Sequence, residues 1–214
     1  MHNAKTGIAP EGLPAIALSA LTTLVFALLD FECLAFVFLG LTFFCCHFFR
    51  DPQRVGPARE SVAVSPADGK VIKVERRPDP ISGEERNYIA IFMNVFNVHV
   101  NRSPVAGTVT AIHYHPGLFL NASLDKASKD NERCTYHITD TSERTIGMVQ
   151  IAGLIARRIV CRVQTGDSLT RGERFGMIKF GSRVDLYLPD DYIPCVFPGQ
   201  KVVAGQTIVA EIRQ

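Results

Sequence analysis

A mostly β fold of α+β type, a compact β-sandwich-like domain behind an N-terminal membrane helical hairpin, is what this sequence predicts. Three observations lead there. From Leu13 to Phe49 the chain is almost continuously apolar, with only Asp30 and Glu32 charged. After Pro57, Gly and Pro punctuate short runs rich in Val and Ile. Few windows in that second part sustain a helical period.

Asp30 and Glu32 divide the apolar stretch into Leu13–Leu29 and Cys33–Phe49. Each half is near the lower limit of about 17–25 residues for a bilayer-spanning helix. Two helices joined at an acidic tip return the chain to its starting side. Lys5 precedes the first half, and Arg50, Arg54 and Arg59 follow the second. Positive flanks place both ends in the cytoplasm, so the expected location is the cell membrane with the β domain on the cytoplasmic side. A re-entrant hairpin within one leaflet stays open, because the halves are short. A cleaved signal peptide fits poorly: the start carries little charge and a second apolar run follows at once. A buried soluble hairpin would have to cover Phe36, Phe38, Phe43, Phe44, Phe48 and Phe49, which occupy nearly every side of a helix. The expected domains are residues 1–56 and 57–214.

Strands are expected at Val71–Val74, Tyr88–Val95, Val105–His113, Met148–Ile151, Ile159–Val163, Met177–Phe180, Val184–Leu188 and Thr207–Ile212. The best helical window, Ile151–Arg157, is short. "SPADGKVIKV" and "SPVAGTVTAI" each set Ser-Pro and a small-residue turn before a strand, and "PGQKVVAGQTIVAEI" is a third relative. Turn–strand units of this kind occur in barrel-sandwich domains of the lipoyl and biotinyl carrier type, although shared turn chemistry alone would also produce them.

The formal net charge of +2 is too small to indicate nucleic acid. None of the six cysteines forms a CxxC pair, and three lie in the apolar region. That pattern is neither a disulfide framework nor a zinc site, and it suits a reducing, cytoplasmic compartment.

Gly181-Ser182, in "MIKFGSRVDLYLP", sits between two strand-like runs. Glycine there can take backbone angles closed to other residues, so the next hydroxyl can approach its carbonyl. Attack of that hydroxyl gives an ester; elimination and loss of ammonia then leave a pyruvoyl group on residue 182. The reaction needs a base and oxyanion donors. Asp68 in "SPADGKV" reads first as half of an Asp-Gly turn, and His99 in "FNVHVNRSP" as a hydrogen-bonded core histidine. Together with Ser182 they supply the residue types of a Ser–His–Asp relay. His113 and His115 point the same way on a strand, but no third ligand has clear spacing, so no metal is expected. Lys126 in "LDKAS" resembles the lysine of a lipoyl carrier, yet lies in a polar run that reads as a longer loop or short helix. Arg157 and Arg158 form a pair suited either to a lipid phosphate or to an exposed strand end.

"FFRDP", "SPADGKV", "NVHVNRSPVAG", "HYHPGLFLNASLDKASKDNER", "QIAGLIARRIV" and "FGSRVDLYLP" occur in the order found in short bacterial phosphatidylserine decarboxylases. The resemblance covers nearly the whole chain from Phe48. It implies self-cleavage between Gly181 and Ser182 into a large β chain (1–181) and a small α chain (182–214) that stay associated. It implies a relay of Asp68, His99 and Ser182, and a covalent pyruvoyl group, derived from Ser182, as the cofactor. That group is expected to form a Schiff base with the serine headgroup of phosphatidylserine, release carbon dioxide and yield phosphatidylethanolamine. Longer family members carry a second histidine three residues before the relay histidine; this chain has Phe96 there. His115 is the candidate replacement as proton donor. The resemblance also sets the Lys126 loop at the border of the substrate site, with Lys126, Arg157 and Arg158 as substrate-binding candidates. The expected partner is phosphatidylserine in the membrane, not nucleic acid; a homo-oligomer stays open.

Overall fold

The computed structural model describes residues 7–124, 126–154, 158–179 and 181–213. The chain forms two compact units, residues 1–53 and 54–214.

In the first unit a 3-10 turn (Pro10–Gly12) runs into α1 (Leu13–Leu28), and α2 (Glu32–Phe48) returns. Proline opens both the 3-10 turn and α1, where its missing N–H costs no helical hydrogen bond. Asp30, at φ 60°, makes the reversal in the left-handed region. At the open end the Ala9 amide donates to the Phe49 carbonyl at 2.7 Å. Gly12 lies so close to the Phe49 ring that a Cβ would sit 2.3 Å from it. The hydroxyls of Thr22, Thr23 and Thr42 donate to carbonyls four residues back, so they need no water along the helices. Leu18, Leu28, Phe36 and Phe43 are each more than two-thirds exposed within the structure. Pro10–Leu28 is long and apolar enough to cross a membrane; α2 is shorter.

Among the described residues the second unit has fourteen short strands: β1 (Val62–Val64), β2 (Gly69–Pro78), β3 (Glu85–Met93), β4 (Val100–Arg102), β5 (Gly107–His115), β6 (Arg133–Thr139) and β7 (Thr145–Ala152); then β8 (Ile159–Cys161), β9 (Ser168–Leu169), β10 (Arg174–Ile178), β11 (Ser182–Leu188), β12 (Tyr192–Pro194), β13 (Lys201–Val202) and β14 (Ile208–Ile212). One helical turn, α3 (Ala127–Asp130), interrupts the loop between β5 and β6. Eight strands form a curled antiparallel sheet in the order β13-β2-β3-β11-β7-β6-β5-β9. Two three-stranded sheets, β1-β14-β12 and β4-β10-β8, complete the fold.

Alternation along the strands decides what is buried where. Ile89, Ile91 and Met93 of β3, Ile146 and Met148 of β7, and Val184, Leu186 and Leu188 of β11 point inward. They meet Ala63, Phe175, Ile178 and Val209 from the small sheets in one core. Intervening residues on the outer face, Tyr88, Ala90, Val149, Ile151 and Tyr187, pack under Ala127 of α3.

The two Ser-Pro segments occupy equivalent places. Ser65 donates to the Ala67 carbonyl at 2.7 Å and Ser103 to the Val105 carbonyl at 2.6 Å. Gly69 and Gly107 open β2 and β5, each pressed against the next strand's backbone. The edge strands β13 and β9 pair with these same glycines. The big sheet reads alike from both edges, so the similarity seen in the sequence marks two halves related by a quasi-twofold axis between β11 and β7.

The strand expectations hold with extended or trimmed ends, and the best helical window, Ile151–Arg157, begins as strand. Ile151 and Ala152 finish β7, paired with Arg183 and Ser182, while residues 155–157 lie outside the described residues.

The β2–β3 turn closes on the outer face through Asp79. Its carboxylate accepts the amides of Ile81 and Ser82, both at 2.9 Å, and lies 2.9 Å from His137 Nε2. Gly147 leaves the room, since a Cβ there would be 2.3 Å from Asp79 Oδ2. Burial works to raise the Asp79 pKa, but the His137 contact and the turn amides outweigh it and hold the carboxyl below its ordinary value. The stabilisation is therefore present above the unfolded carboxyl's pKa of about 3.9 and is lost as pH falls through the depressed folded value. Thermal melts below about pH 4 should show the natural chain losing stability more steeply than Asp79→Asn. Parallel pH profiles would contradict this.

Candidate active site

Ser182 is the first residue of β11 and faces inward between Met93 of β3 and Ala152 of β7. It is fully buried, and its hydroxyl donates to the Met93 thioether at 3.4 Å. Gly181 precedes it at φ +58°, where glycine is favoured. The Gly181 carbonyl packs onto bare backbone: a Cβ on Gly153 would lie 2.0 Å from its oxygen. Two glycines from different strand ends thus hold the peptide bond before Ser182 in a place that no larger residue at 153 allows.

His99, just before β4, is fully buried, and its Nδ1 lies 3.0 Å from the Asn97 carbonyl. Its own carbonyl accepts the Ile178 amide, which ties it to the strand leading toward Gly181. Asn101, two residues on and so on the same side of the chain, reaches the Met93 sulfur at 3.7 Å. The same sulfur takes the Ser182 hydroxyl, so β4 and β11 converge on Met93. Asn101 is fixed by a buried chain in which Gln150 Nε2 donates to its Oδ1 at 2.8 Å and the Tyr136 hydroxyl donates to Gln150 Oε1 at 2.6 Å.

Asp68 comes to the same end of the sheet, directly before Gly69. Its carboxylate is gripped by Arg54 through two hydrogen bonds of 2.5 and 2.7 Å, and it also accepts the Ala204 amide at 2.8 Å. Arg54 is therefore not a free flanking charge; its side chain is 8% exposed. The bond joins residues fourteen apart, and nothing in the local pattern announces it.

Arg183 points to the outer face. It is fully buried and forks onto Asp185 at 2.5 and 2.9 Å. Burial pushes the Tyr88 hydroxyl well up, so it stays protonated and donates to Asp185 at 2.9 Å. Arg183 also donates to Tyr88 and to the Leu124 carbonyl, tying the loop of residues 116–132 to the residue after Ser182. Buried Asn131 fastens that loop at its other end, bonding both polar groups of the Leu120 backbone and the Ala152 carbonyl.

Lys126 is exposed at the N-cap of α3, not at a strand-hairpin tip, which removes the likeness to a carrier lysine. Arg158 is exposed, and its carbonyl accepts the Lys179 amide two residues before Gly181. Arg157 lies outside the described residues. Lys126 and Arg158 thus stand on segments that flank Ser182.

His115 is not brought to Ser182. It pairs with Arg133, which pairs with Ile151, which pairs with Arg183. Three strand spacings put it about 14 Å from β11, on the face that Arg183 occupies and Ser182 does not. Partial burial, then Arg133 and His113, lower its pKa. Among the described residues no cluster of three metal-ligating side chains occurs.

Arg54, Met93, Asn101, Gln150 and Gly153 were not singled out by sequence reasoning. Three of them lie inside the quoted segments "NVHVNRSPVAG" and "QIAGLIARRIV", where a polar residue at an inward strand position, or a glycine at a strand end, was the available signal.

The phosphatidylserine decarboxylase family profile matches residues 41–210. The phosphatidylserine decarboxylase proenzyme of Nitratidesulfovibrio vulgaris is 65% identical over 98% of this chain and 97% of its own length. The proenzyme of Oleidesulfovibrio alaskensis is 61% identical over 98% and 96%, and that of Solidesulfovibrio magneticus 57% over 99% of both chains. These matches show that the chain belongs to the phosphatidylserine decarboxylase family.

Proposed function

We propose that this chain converts phosphatidylserine to phosphatidylethanolamine with a pyruvoyl group made from its own Ser182. The observation that carries the reading is the Gly181 carbonyl, held against Gly153 beside a fully buried serine hydroxyl.

Ser182 Oγ attacks the Gly181 carbonyl carbon and the peptide nitrogen leaves, giving an ester and a free amine on residue 182. His99 takes the hydroxyl proton and returns it to that nitrogen. Asp68, charge-balanced by Arg54, sets the field on the histidine's side of the site. Removal of the Ser182 α-proton then expels the ester oxygen as the Gly181 carboxylate. Addition of water and loss of ammonia convert residue 182 to a ketone. The Gly153 cradle fits this sequence, because the carbonyl must tilt toward the serine without meeting a side chain.

The ketone beside an amide carbonyl would supply the electron sink for losing carbon dioxide from an amine-bearing carboxylate. Lys126 and Arg158 are assigned to the anionic headgroup, as is Arg157 on the sequence alone. The return of a proton near residue 182 is assigned to His99 in preference to the distant His115. The Arg183–Asp185–Tyr88 network keeps the new N-terminus in register after the cut, since breaking a buried ion pair costs about 3–5 kcal/mol. The two chains, residues 1–181 and 182–214, stay together because β11 remains hydrogen-bonded to β3 and β7.

The apolar hairpin holds the enzyme at the cytoplasmic face of the membrane. Drawing a diacyl lipid wholly into water would forfeit about 0.8 kcal/mol per methylene, whereas an anchored enzyme only lifts the headgroup.

Denaturing mass spectrometry should find a fragment starting at residue 182 that is one ammonia lighter than the serine-started peptide. Ser182→Ala should stay a single inactive chain. Turnover by an uncut chain would overturn the proposal.

Gly153→Ala should fold but cut itself about 100-fold more slowly, as expected for a displaced reacting carbonyl. Gel densitometry against time measures this, with the melting temperature reporting the fold. Cleavage at the natural rate would remove the cradle from the mechanism.

A further inference from the structure

Four exposed large apolar side chains of the second unit share one end of the eight-stranded sheet, while others, such as Val55 and Phe197, stand singly on other segments. Phe96 is 66% exposed on the β3–β4 loop, and Leu118 and Leu124 are 59% and 52% exposed on the loop after β5. Leu154, 67% exposed, follows β7. All four segments leave the sheet at the end where Ser182 begins β11. At the far end, the turns at 79–84, 140–144 and 189–191 offer only Ile81, at 36%.

The far turns carry Glu84, Asp140, Glu143, Asp190 and Asp191, of which Asp140 and Asp191 pair with Arg144, Asp190 with Arg76 and Glu84 with Arg86. At the Ser182 end, Lys126, Arg158 and Lys179 stand on or beside the apolar segments, with Asp130 and Glu132 as acids of the same loop. An apolar rim with exposed basic neighbours, set around the proposed phospholipid site, matches an anionic bilayer surface.

We infer that the Ser182 end of this unit is itself a membrane-docking face: Phe96, Leu118, Leu124 and Leu154 enter the headgroup–acyl boundary of an anionic bilayer while Lys126 and Arg158 lie among its headgroups. This rests on the proposed lipid substrate and adds a second, site-centred contact to the N-terminal anchor. The docking turns the opening of the site toward the lipid, so a headgroup enters without leaving the interface.

The chain contains no tryptophan, so each introduced one is a sole reporter. Full-length Phe96→Trp, Leu124→Trp and Ile81→Trp are reconstituted in vesicles of phosphatidylcholine and phosphatidylglycerol, with and without brominated acyl chains. Emission at 96 and 124 should shift to the blue and be quenched by the brominated lipid, while emission at 81 should not. Equal quenching at all three positions, or none at 96 and 124, overturns the docking face.

Leu118→Ser combined with Leu154→Ser should lower turnover of vesicle-borne phosphatidylserine about tenfold. Turnover of a short-chain, monomeric phosphatidylserine and the extent of self-cleavage should be unchanged. Equal loss on both substrates overturns docking. Loss of the fragment at residue 182 in the natural chain refutes instead the proposed chemistry, while the quenching reads docking alone.

Discussion

The close approach of the Gly181 carbonyl to the backbone of Gly153 is the constraint on which the site is built. A Cβ at 153 would come within 2.0 Å of that oxygen. Everything around the contact serves to keep two strand ends in register. β11 is zipped to β3 over its whole length and to β7 from Ser182 to Tyr187. Arg183, locked onto Asp185 and Tyr88, stops the strand from sliding by a residue, which would turn Ser182 to the outer face. Asn131 holds the Ala152 carbonyl, immediately before Gly153. The Gly181–Ser182 bond, where cleavage is proposed, is thus clamped from the sheet, from the outer face and from the loop that borders it.

The quasi-twofold architecture shows how such a site is added to a plain β scaffold. Gly199 and Gly166 lie at φ +99° and +96°, and Gly205 and Gly172 at +73° and +82°, in matching turns of the two halves. Ser65 and Ser103 make the same bond to the residue two ahead. The halves differ where chemistry is proposed. Asp68 stands in the first Ser-Pro turn and Ala106 in the second, and only Asp68 has a buried arginine to balance it. His99 belongs to the second half, so the proposed relay draws its acid and base from opposite halves and needs the folded unit to assemble.

Much of the scaffold could be read in the chain because Val and Ile mark β2, β3, β5, β7, β11 and β14 directly. β6 escaped, since "RCTYHIT" mixes burial with polarity: Cys134, Tyr136 and Ile138 enter the core, whereas His137 is buried on the other face beneath Asp79. Gly181-Ser182, Asp68 and His99 were legible as residue types inside recognisable segments. Arg54 was not, because an ion pair is a tertiary fact and a basic residue after an apolar stretch reads first as a topology signal. His115 misled for a related reason. Its place inside a family segment says nothing of register, and register sets it on the face opposite Ser182, three strands away.

The oxygen of the Ser182 side chain provides the most direct test of acyl transfer at this clamped bond. In the proposed sequence that atom ends in the carboxylate of Gly181, and solvent contributes nothing to it. Maturation should be carried out in water enriched in the heavy oxygen isotope, and the C-terminal peptide ending at Gly181 weighed. A carboxylate without solvent oxygen is the expected result. A carboxylate carrying one solvent oxygen would mean that water, not the serine, opened the chain.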